Sequence, residues 1–288
     1  RAVEHLIGII TLSQEEFITS SQRLRISAAS KALGKIGDPK AIESLSKVVL
    51  SKYYLNGSDA AWALGEIGGP RAAESLIRVL EEDGYRLDYL VRESIVESLG
   101  KTRDERAFGP IIKAMHSVNN QDLRCVSLRA LADINFSKAF NTLVEGLSDK
   151  EYVVRPTCIS ALTHKINEDV RILDLVIEFL EKELYSEAQL ACINALAETG
   201  FQDVRIKELV TGFLSDFNWW LRKAAVLALS NYSDRETISK IALRLDDEEV
   251  KVRWVSALAL APYFGDYHQL EPPLRQILKE CDLETRQK

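Results

Sequence analysis

The chain has 288 residues, of which 46% are hydrophobic and 28% are charged, and its formal net charge at pH 7 is −6. These proportions are those of a globular protein and exclude the collagen-like and low-complexity classes. An acidic chain lacks the excess of lysine and arginine that neutralises phosphate groups, so we predict no nucleic-acid partner. No apolar run reaches the ~18 residues of a membrane-spanning helix, so we predict no membrane span.

The cysteines and histidines show no spacing typical of a disulfide framework or a metal site. The four cysteines are Cys125, Cys158, Cys192 and Cys281, and no two of them form a CxxC pair. Such spacing predicts reduced thiols and a cytoplasmic protein. The four histidines are not at metal-ligand spacing either, so we predict no bound metal.

Two early segments of the chain have nearly the same sequence. Residues 30–45 read SKALGKIGDPKAIESL and residues 61–76 read AWALGEIGGPRAAESL, and ten of the sixteen aligned positions are identical. In each segment one helical pattern ends at glycine, and a second begins at or just after proline. Glycine ends helices in the left-handed conformation and proline suits the first helical turn, so each segment predicts a pair of helices.

The pattern continues in weaker form along the whole chain. One leucine marks each copy, and we call it the anchor leucine and number the other positions of the repeat from it. The anchors are Leu33, Leu64, Leu99, Leu131, Leu162, Leu196, Leu229 and Leu260. A period of 31–35 residues with two helical patterns predicts an all-α protein, a right-handed α-solenoid of about eight helix pairs. We expect one solenoid over residues 1–288, with a partial repeat or cap at 1–22, the repeat array at 23–265 and a C-terminal helix or cap at 266–288.

Helical spacing divides each anchor helix into a core stripe and an outward face. Positions −8, −4, −1 and 0 form an apolar stripe, whereas positions −9, −6, −2 and +2 point away from it and are expected to line a groove. Position −7 is arginine in five repeats: Arg92, Arg124, Arg155, Arg222 and Arg253. Six residues before it, three repeats carry Asp149, Asp216 or Asp247, which could cap the helix or pair with arginine between repeats.

Aromatic residues interrupt the pattern on the expected groove. They are Tyr54, Tyr89, Tyr152 and Trp219 at position −10, Trp220 at −9, Trp254 at −6 and Trp62 at −2. Aromatic side chains there suit a flat conjugated ligand or an apolar partner surface. The alternative interpretation, packing between repeats, stays open from the sequence alone.

Polar residues share this face with the aromatic ones. Those singled out are Asp59, Glu93, Arg129, His164 and Lys223. Most charged surface residues only interact with solvent, but these lie where a ligand would be held. Cys125 also falls on this face, but nothing near it in sequence would lower its pKa, so we do not interpret it as a nucleophile.

At this point the chain resembles a known family, the HEAT-like repeats of the phycobilisome-lyase type. Their pattern VRxxAxxALGxIGDPxAxxxL is similar to LRISAASKALGKIGDPKAIESL and SDAAWALGEIGGPRAAESL. The nearest branch looks like the E/F-type phycobilin lyases and lyase-isomerases of cyanobacteria, on KYYLNGSDAAWALGEIG and EDGYRLDYLVRESIVESLGKTRDERA. The chain departs from that branch in the extra LNGSD before the tryptophan and in the turn KTRDERA.

The resemblance implies an enzyme that attaches a linear tetrapyrrole to a phycobiliprotein cysteine by a thioether, with or without isomerisation. The bilin is then substrate rather than cofactor, and a second lyase subunit is a further candidate partner. The aromatic residues would contact its rings, Arg129 and Lys223 its propionates, and Asp59, Glu93 or His164 would move protons. The rival interpretation is a non-catalytic scaffold or chaperone that binds a protein partner in the groove.

Overall fold

The computed structural model describes residues 1–11, 19–51, 54–82, 87–117 and 119–263, without the side chains of Tyr54 and Leu55. These residues form sixteen α-helices joined by turns and short 3₁₀ segments, and the described ranges contain no strand. The helices are α1 (Ala2–Ile10), α2 (Ser20–Ile36), α3 (Ile42–Val49), α4 (Tyr54–Ile67), α5 (Gly69–Glu82), α6 (Tyr89–Thr102), α7 (Phe108–Ser117), α8 (Gln121–Ile134), α9 (Phe136–Gly146), α10 (Val154–Thr163), α11 (Arg171–Lys182), α12 (Ser186–Thr199), α13 (Val204–Gly212), α14 (Trp219–Leu229), α15 (Arg235–Ala242) and α16 (Val250–Leu260). In these ranges no helix is both long and apolar enough to cross a membrane.

The eight predicted anchor leucines occupy the eight even-numbered helices, one in each helix from α2 to α16. Every anchor is at most 2% exposed. The odd-numbered helices from α3 to α15 follow as the second helix of each repeat, so the predicted α-solenoid is confirmed. The predicted C-terminal helix or cap, residues 266–288, lies outside the described residues.

The helices form two compact units, Arg1–Val154 and Arg155–Lys288. In the first unit α2 packs on α4, α4 on α6 and α6 on α8, and in the second α12 packs on α14 and α14 on α16. These anchor helices therefore stack directly on one another within their unit, as in other repeat proteins. A single solenoid running through both units stays a prediction.

In two repeats of the first unit, the turn between the two helices has one left-handed residue followed by an aspartate. Gly37 ends α2 with φ 72°, and the Asp38 carboxylate accepts the Lys40 backbone N–H at 3.0 Å. In the departing turn KTRDERA, Arg103 takes the left-handed position with φ 53°, and Asp104 accepts the Arg106 N–H at 3.0 Å. The turn is thus kept although a non-glycine residue pays a conformational cost there.

Neighbouring anchor helices approach closely where position +1 is glycine. A Cβ on Gly34 would lie 2.8 Å from the Ala63 Cα, and a Cβ on Gly100 would lie 2.9 Å from the Ala130 Cα. Backbone atoms cannot move aside as a flexible side chain can. The glycines therefore set the spacing between layers in the first unit.

Three of the five arginines at position −7 pair with an acidic residue at the start of the next repeat. The ion pairs are Arg124–Asp149 at 3.1 Å, Arg155–Glu183 at 2.9 Å and Arg222–Asp247 at 2.8 Å. Each aspartate also caps its own turn, since Asp149 accepts the Glu151 N–H and Asp247 the Glu249 N–H. Both roles left open by the sequence are therefore filled by the same carboxylate.

One repeat of the second unit lacks the arginine. Gln189 occupies position −7, and its side-chain amide donates to the Glu183 carbonyl at 2.7 Å. The carboxylate that would face an arginine there is Asp216, which accepts the Asn218 N–H at 2.8 Å. Gln189 therefore keeps the bond within its own repeat and has no ion pair to the next one.

Candidate functional site

Trp62 lies on the outward face of α4 and is half-buried. Its ring lies against the preceding repeat, so close that a Cβ on Gly34 would be 3.1 Å from its Cζ3. The Lys101 ammonium nitrogen, from the following repeat, lies 5.8 Å from the ring centroid. Trp62 thus packs between layers with part of its indole and keeps the rest exposed beside a cation.

Lys101 is held in place by acidic neighbours. Its ammonium lies 3.0 Å from the Glu66 carboxylate and 3.9 Å from that of Glu97. All three side chains are exposed. Exposed pairs of this kind contribute little to stability, so the lysine can exchange its partner for another carboxylate at small cost.

Glu93 lies at position −6 of α6, the helix that packs on α4. Burial raises the pKa of its carboxyl above the ordinary value, and the nearby carboxylates of Asp122 and Asp88 raise it further, against a hydrogen bond from Asn120 that lowers it. Its Oε1 is buried without a hydrogen-bond partner. Glu93 is therefore a carboxyl that holds its proton more strongly than usual, on the same outward face as Trp62.

The free energy of unfolding of the variant Glu93→Gln tests whether the pKa of Glu93 is raised in the folded state. A raised pKa in the folded state means that Glu93 favours folding below its unfolded pKa of ~4.3, and that this contribution is lost as the pH rises through the folded pKa. We expect Glu93→Gln to stabilise the first unit at pH 7 and to leave its stability unchanged at pH 4. Urea unfolding at both pH values measures it, and an equal effect at both would contradict the assignment.

The sequence suggested that the Asp59 carboxylate could move protons, but in the structure two side chains hold this carboxylate. It accepts a hydrogen bond from the Ser27 hydroxyl and forms an ion pair with Lys31 at 3.0 Å. Both partners belong to α2, so Asp59 connects two layers of the first unit. Its two partners make it a positioning residue for α4 rather than a free proton carrier.

The structure also describes the positions of the other predicted site residues of the first unit. Tyr89 begins α6 and is exposed, and Arg129 is exposed on α8. Tyr152 lies in the turn before α10 rather than in a helix, and it is also exposed. Tyr54 begins α4, but its side chain lies outside the described residues.

The second unit carries three tryptophans on consecutive anchor helices. Trp219 and Trp220 begin α14 and contact each other edge to face, with ring centroids 5.8 Å apart. The Lys251 ammonium lies 4.6 Å from the Trp219 ring centroid. Trp220 and Trp254 are each more than one-third exposed, and Lys223 is half-buried on the same helix as the first two.

His164 lies at the opposite end of the anchor helices from these tryptophans. Its Nδ1 donates to the Ser160 carbonyl at 2.7 Å, and its Nε2 lies 2.9 Å from the Glu198 carboxylate. Burial alone would lower the pKa of His164, but these two hydrogen bonds and the charge of Glu198 raise it above the ordinary value. Because both partners are acceptors, the doubly protonated ring satisfies them both.

Three contacting residues were missed in the sequence: Lys101, Lys251 and Glu198. All three come from a repeat that follows the residue they contact, and they occupy positions +2, −9 and +2. Those positions were already assigned to the outward face. A charged residue at an outward position of the next repeat was therefore the sequence signal that could have identified these three residues.

The repeats of this chain match a known family of helical repeats. HEAT repeats match residues 16–100, 109–197 and 173–261. The chain belongs to the HEAT-repeat family. No curated protein matches this HEAT-repeat chain.

Solved structures share the HEAT-repeat fold at low sequence identity. YibA of Escherichia coli is 15% identical with a TM-score of 0.57, over 92% of this chain and 98% of that one. The complex of CpcE and CpcF of phycocyanin lyase from Nostoc sp. PCC7120 is 19% identical with a TM-score of 0.48, over 90% and 94%. Human deoxyhypusine hydroxylase in complex with glycerol is 18% identical with a TM-score of 0.42, over 91% and 96%. At these identities the similarity extends to the fold alone.

Proposed function

We propose that this HEAT-repeat protein is a phycobilin lyase. It binds a linear tetrapyrrole on the outward face of its anchor helices and attaches it by a thioether to a cysteine of a phycobiliprotein subunit. The observation that carries the proposal is the contact between the Trp62 indole and the Lys101 ammonium. Lys101 lies on α6 together with Glu93, and we call these three side chains the Trp62 surface. It supplies an aromatic ring, a carboxyl of raised pKa and a cation on neighbouring helices of one unit.

Each of these groups matches one part of a bilin. A pyrrole ring stacks on the exposed part of the Trp62 indole, which loses little rotamer freedom in doing so. A propionate replaces the exposed Glu66 or Glu97 carboxylate as partner of Lys101. Trp219 with Lys251 repeats the combination of ring and cation in the second unit. Arg129 and Lys223 are the further candidates for propionates, as the sequence suggested.

The attachment step needs no nucleophile from the lyase. The acceptor thiol adds across the ethylidene double bond of an end ring, so one S–C bond forms, one π bond breaks and the thiol proton ends on the pigment. The step is balanced without an oxidant. Glu93 is our candidate for carrying that proton, because burial raises the pKa of its carboxyl and so favours the protonated form.

Isomerisation, where it accompanies attachment, requires one proton to be removed and another to be delivered. His164 with Glu198 is the candidate pair for this in the second unit. Asp59 then serves by holding α4, which carries Trp62, against α2.

The proposal is tested by expressing the protein together with a phycobiliprotein subunit and a bilin. We expect a covalently coloured subunit that keeps its colour in denaturing gels, and a subunit that stays colourless with every bilin tried would refute the lyase. Trp62→Ala is expected to weaken bilin binding about two- to twelve-fold, the effect of losing ~0.5–1.5 kcal/mol of ring contact. Trp62→Phe is the matched control, and it should recover most of the binding. Equal losses in both, or a loss of helical signal, would instead indicate a packing role.

The non-catalytic scaffold that binds a protein partner is the second candidate function. It is favoured by the exposed Leu184 and Phe217 of the second unit, two large apolar side chains that have no role in the proposed lyase. Mixing the pure protein with free bilin separates the two functions. A shift in visible absorbance supports the lyase, and its absence together with capture of a phycobiliprotein or a second lyase subunit supports the scaffold.

A further inference from the structure

A cavity of about 380 Å³ opens beside two 3₁₀ turns of the second unit, Phe213–Ser215 and Leu243–Asp246. Four carboxylates and two guanidinium groups line it, so its lining has two net negative charges. Two large apolar side chains, Phe217 and Leu243, also line the cavity, and both are mostly exposed. The cavity therefore combines negative charge with an apolar rim.

Some of the charged groups that line the cavity are bound within the fold, whereas others are exposed. Arg222 and Asp247 form the buried ion pair between repeats. Arg244 donates to the Leu214 carbonyl at 3.0 Å. Glu248 contacts Arg222 at 3.0 Å, yet its side chain is 84% exposed. Asp246 is exposed as well, so both of these carboxylates are accessible to a partner.

The apolar rim belongs to a longer row. Leu184 and Phe217 occupy position −12 of two successive repeats and are 89% and 86% exposed, and Glu248 occupies position −12 of the third. Because α12, α14 and α16 stack in order, the three side chains follow one another at steps of about 8–10 Å. Side chains this exposed bury little apolar area within the fold, so they stay available to cover apolar side chains of a partner.

We infer that this row docks an extended, basic segment of a protein partner. Two apolar side chains of the segment cover Leu184 and Phe217, and a lysine or arginine enters the cavity beside Phe217 and faces Asp246 and Glu248. In the polyproline II form of an extended chain, which has three residues per turn and a rise of ~3.1 Å per residue, side chains three residues apart lie on one face about 9 Å apart, so about six residues span the two steps. Charge complementarity selects this occupant: nucleic acids, anionic lipids and bilin propionates carry the wrong sign.

The inference goes beyond the proposed function and does not depend on bilin binding. It is tested with fluorescein-labelled peptides in which leucine, phenylalanine and arginine are separated by two serines, and with sets that have one serine more or fewer. Fluorescence anisotropy with the whole protein measures binding. We expect binding by at least one of these peptides, and none by the same peptide with glutamate in place of arginine. Absence of binding by every peptide, or equal binding of the arginine and glutamate forms, would overturn the inference.

Variants of the protein locate the site. Phe217→Ser and Glu248→Lys are each expected to weaken binding at least about tenfold, as for central residues of an interface. Val204→Ser and Glu236→Lys are the matched controls, since both residues are exposed in the same unit but away from the row, and they should leave the affinity unchanged. Glu248→Lys should also gain binding of the glutamate peptide. Unchanged affinity in Phe217→Ser and Glu248→Lys, or equal losses in the controls, would place the site elsewhere.

Discussion

Replacing Arg222 by methionine is expected to destabilise the second unit by about 3–5 kcal/mol. The Arg222 guanidinium donates to both oxygens of Asp247, to Glu248 and to the carbonyls of Asp216 and Phe217. Without the arginine, the Asp247 carboxylate, whose side chain is 3% exposed, loses its main partner. Urea unfolding followed by tryptophan fluorescence measures the loss, since three of the four tryptophans lie in this unit.

The stability lost on replacing Arg222 by methionine should depend on pH. Burial alone would raise the pKa of Asp247, but the hydrogen bonds and charge of Arg222 and the Glu249 N–H hold it below its ordinary value. Asp247 therefore contributes stability above its unfolded pKa of ~3.9, and this contribution is lost as the pH falls through the folded pKa. The difference between Arg222→Met and the parent protein should accordingly shrink as the pH falls towards 3.

Gln189→Met is the matched control for Arg222→Met. Gln189 holds the same register position without an ion pair, so its loss removes one hydrogen bond, worth about 1 kcal/mol. The double variant Arg222→Met with Asp247→Leu should recover most of the stability, because no buried charge then stays unpaired. Equal effects of Arg222→Met and Gln189→Met would show that the ion pair contributes nothing beyond a neutral hydrogen bond.

Replacing Gly100 by valine is expected to cost the first unit about 1–3 kcal/mol or more. A Cβ on Gly100 would lie 2.9 Å from the Ala130 Cα and 3.0 Å from its Cβ, so α6 and α8 would have to separate. Valine is not a worse helix former than glycine, so the loss reports the contact between helices rather than helix propensity. Thermal unfolding followed by far-ultraviolet circular dichroism measures it.

Gly8→Val is the control for Gly100→Val. Gly8 lies in the interior of α1, and a Cβ there would meet nothing within 4 Å. The same substitution should therefore be neutral or slightly stabilising at Gly8. A similar loss at both positions would mean that valine destabilises these helices for a reason unrelated to the spacing between layers.

The repeat itself was predictable because its determinants are local. The anchor leucines follow helical periodicity, and Gly37 with Asp38 marks the turn by the conformational preferences of two adjacent residues. Such signals act over a few residues and recur in every copy of the repeat. The strong copies therefore make it possible to identify the weak ones. The sequence alone therefore determined the all-helical class, the eight anchor helices and the outward face.

The partners on that face were not predictable in the same way. Asp59 and Glu93 are both acidic residues in the first half of an anchor helix, yet Asp59 is held by Ser27 and Lys31 whereas Glu93 Oε1 has no partner. The difference comes from side chains of the adjacent repeats, and each repeat varies at those positions independently.

The tertiary structure also decided what the arginines and tryptophans contact. Arg222 could have paired within its own repeat or with the next, and only the stacking of α14 on α16 brings the Asp247 carboxylate to it. Lys101 and Lys251 reach the indoles for the same reason. The sequence by itself determined where the helices and their outward face lie, since those depend on short-range periodicity. Only the tertiary structure decided which charges and rings meet, because the meeting groups come from different repeats and depend on how closely the layers stack.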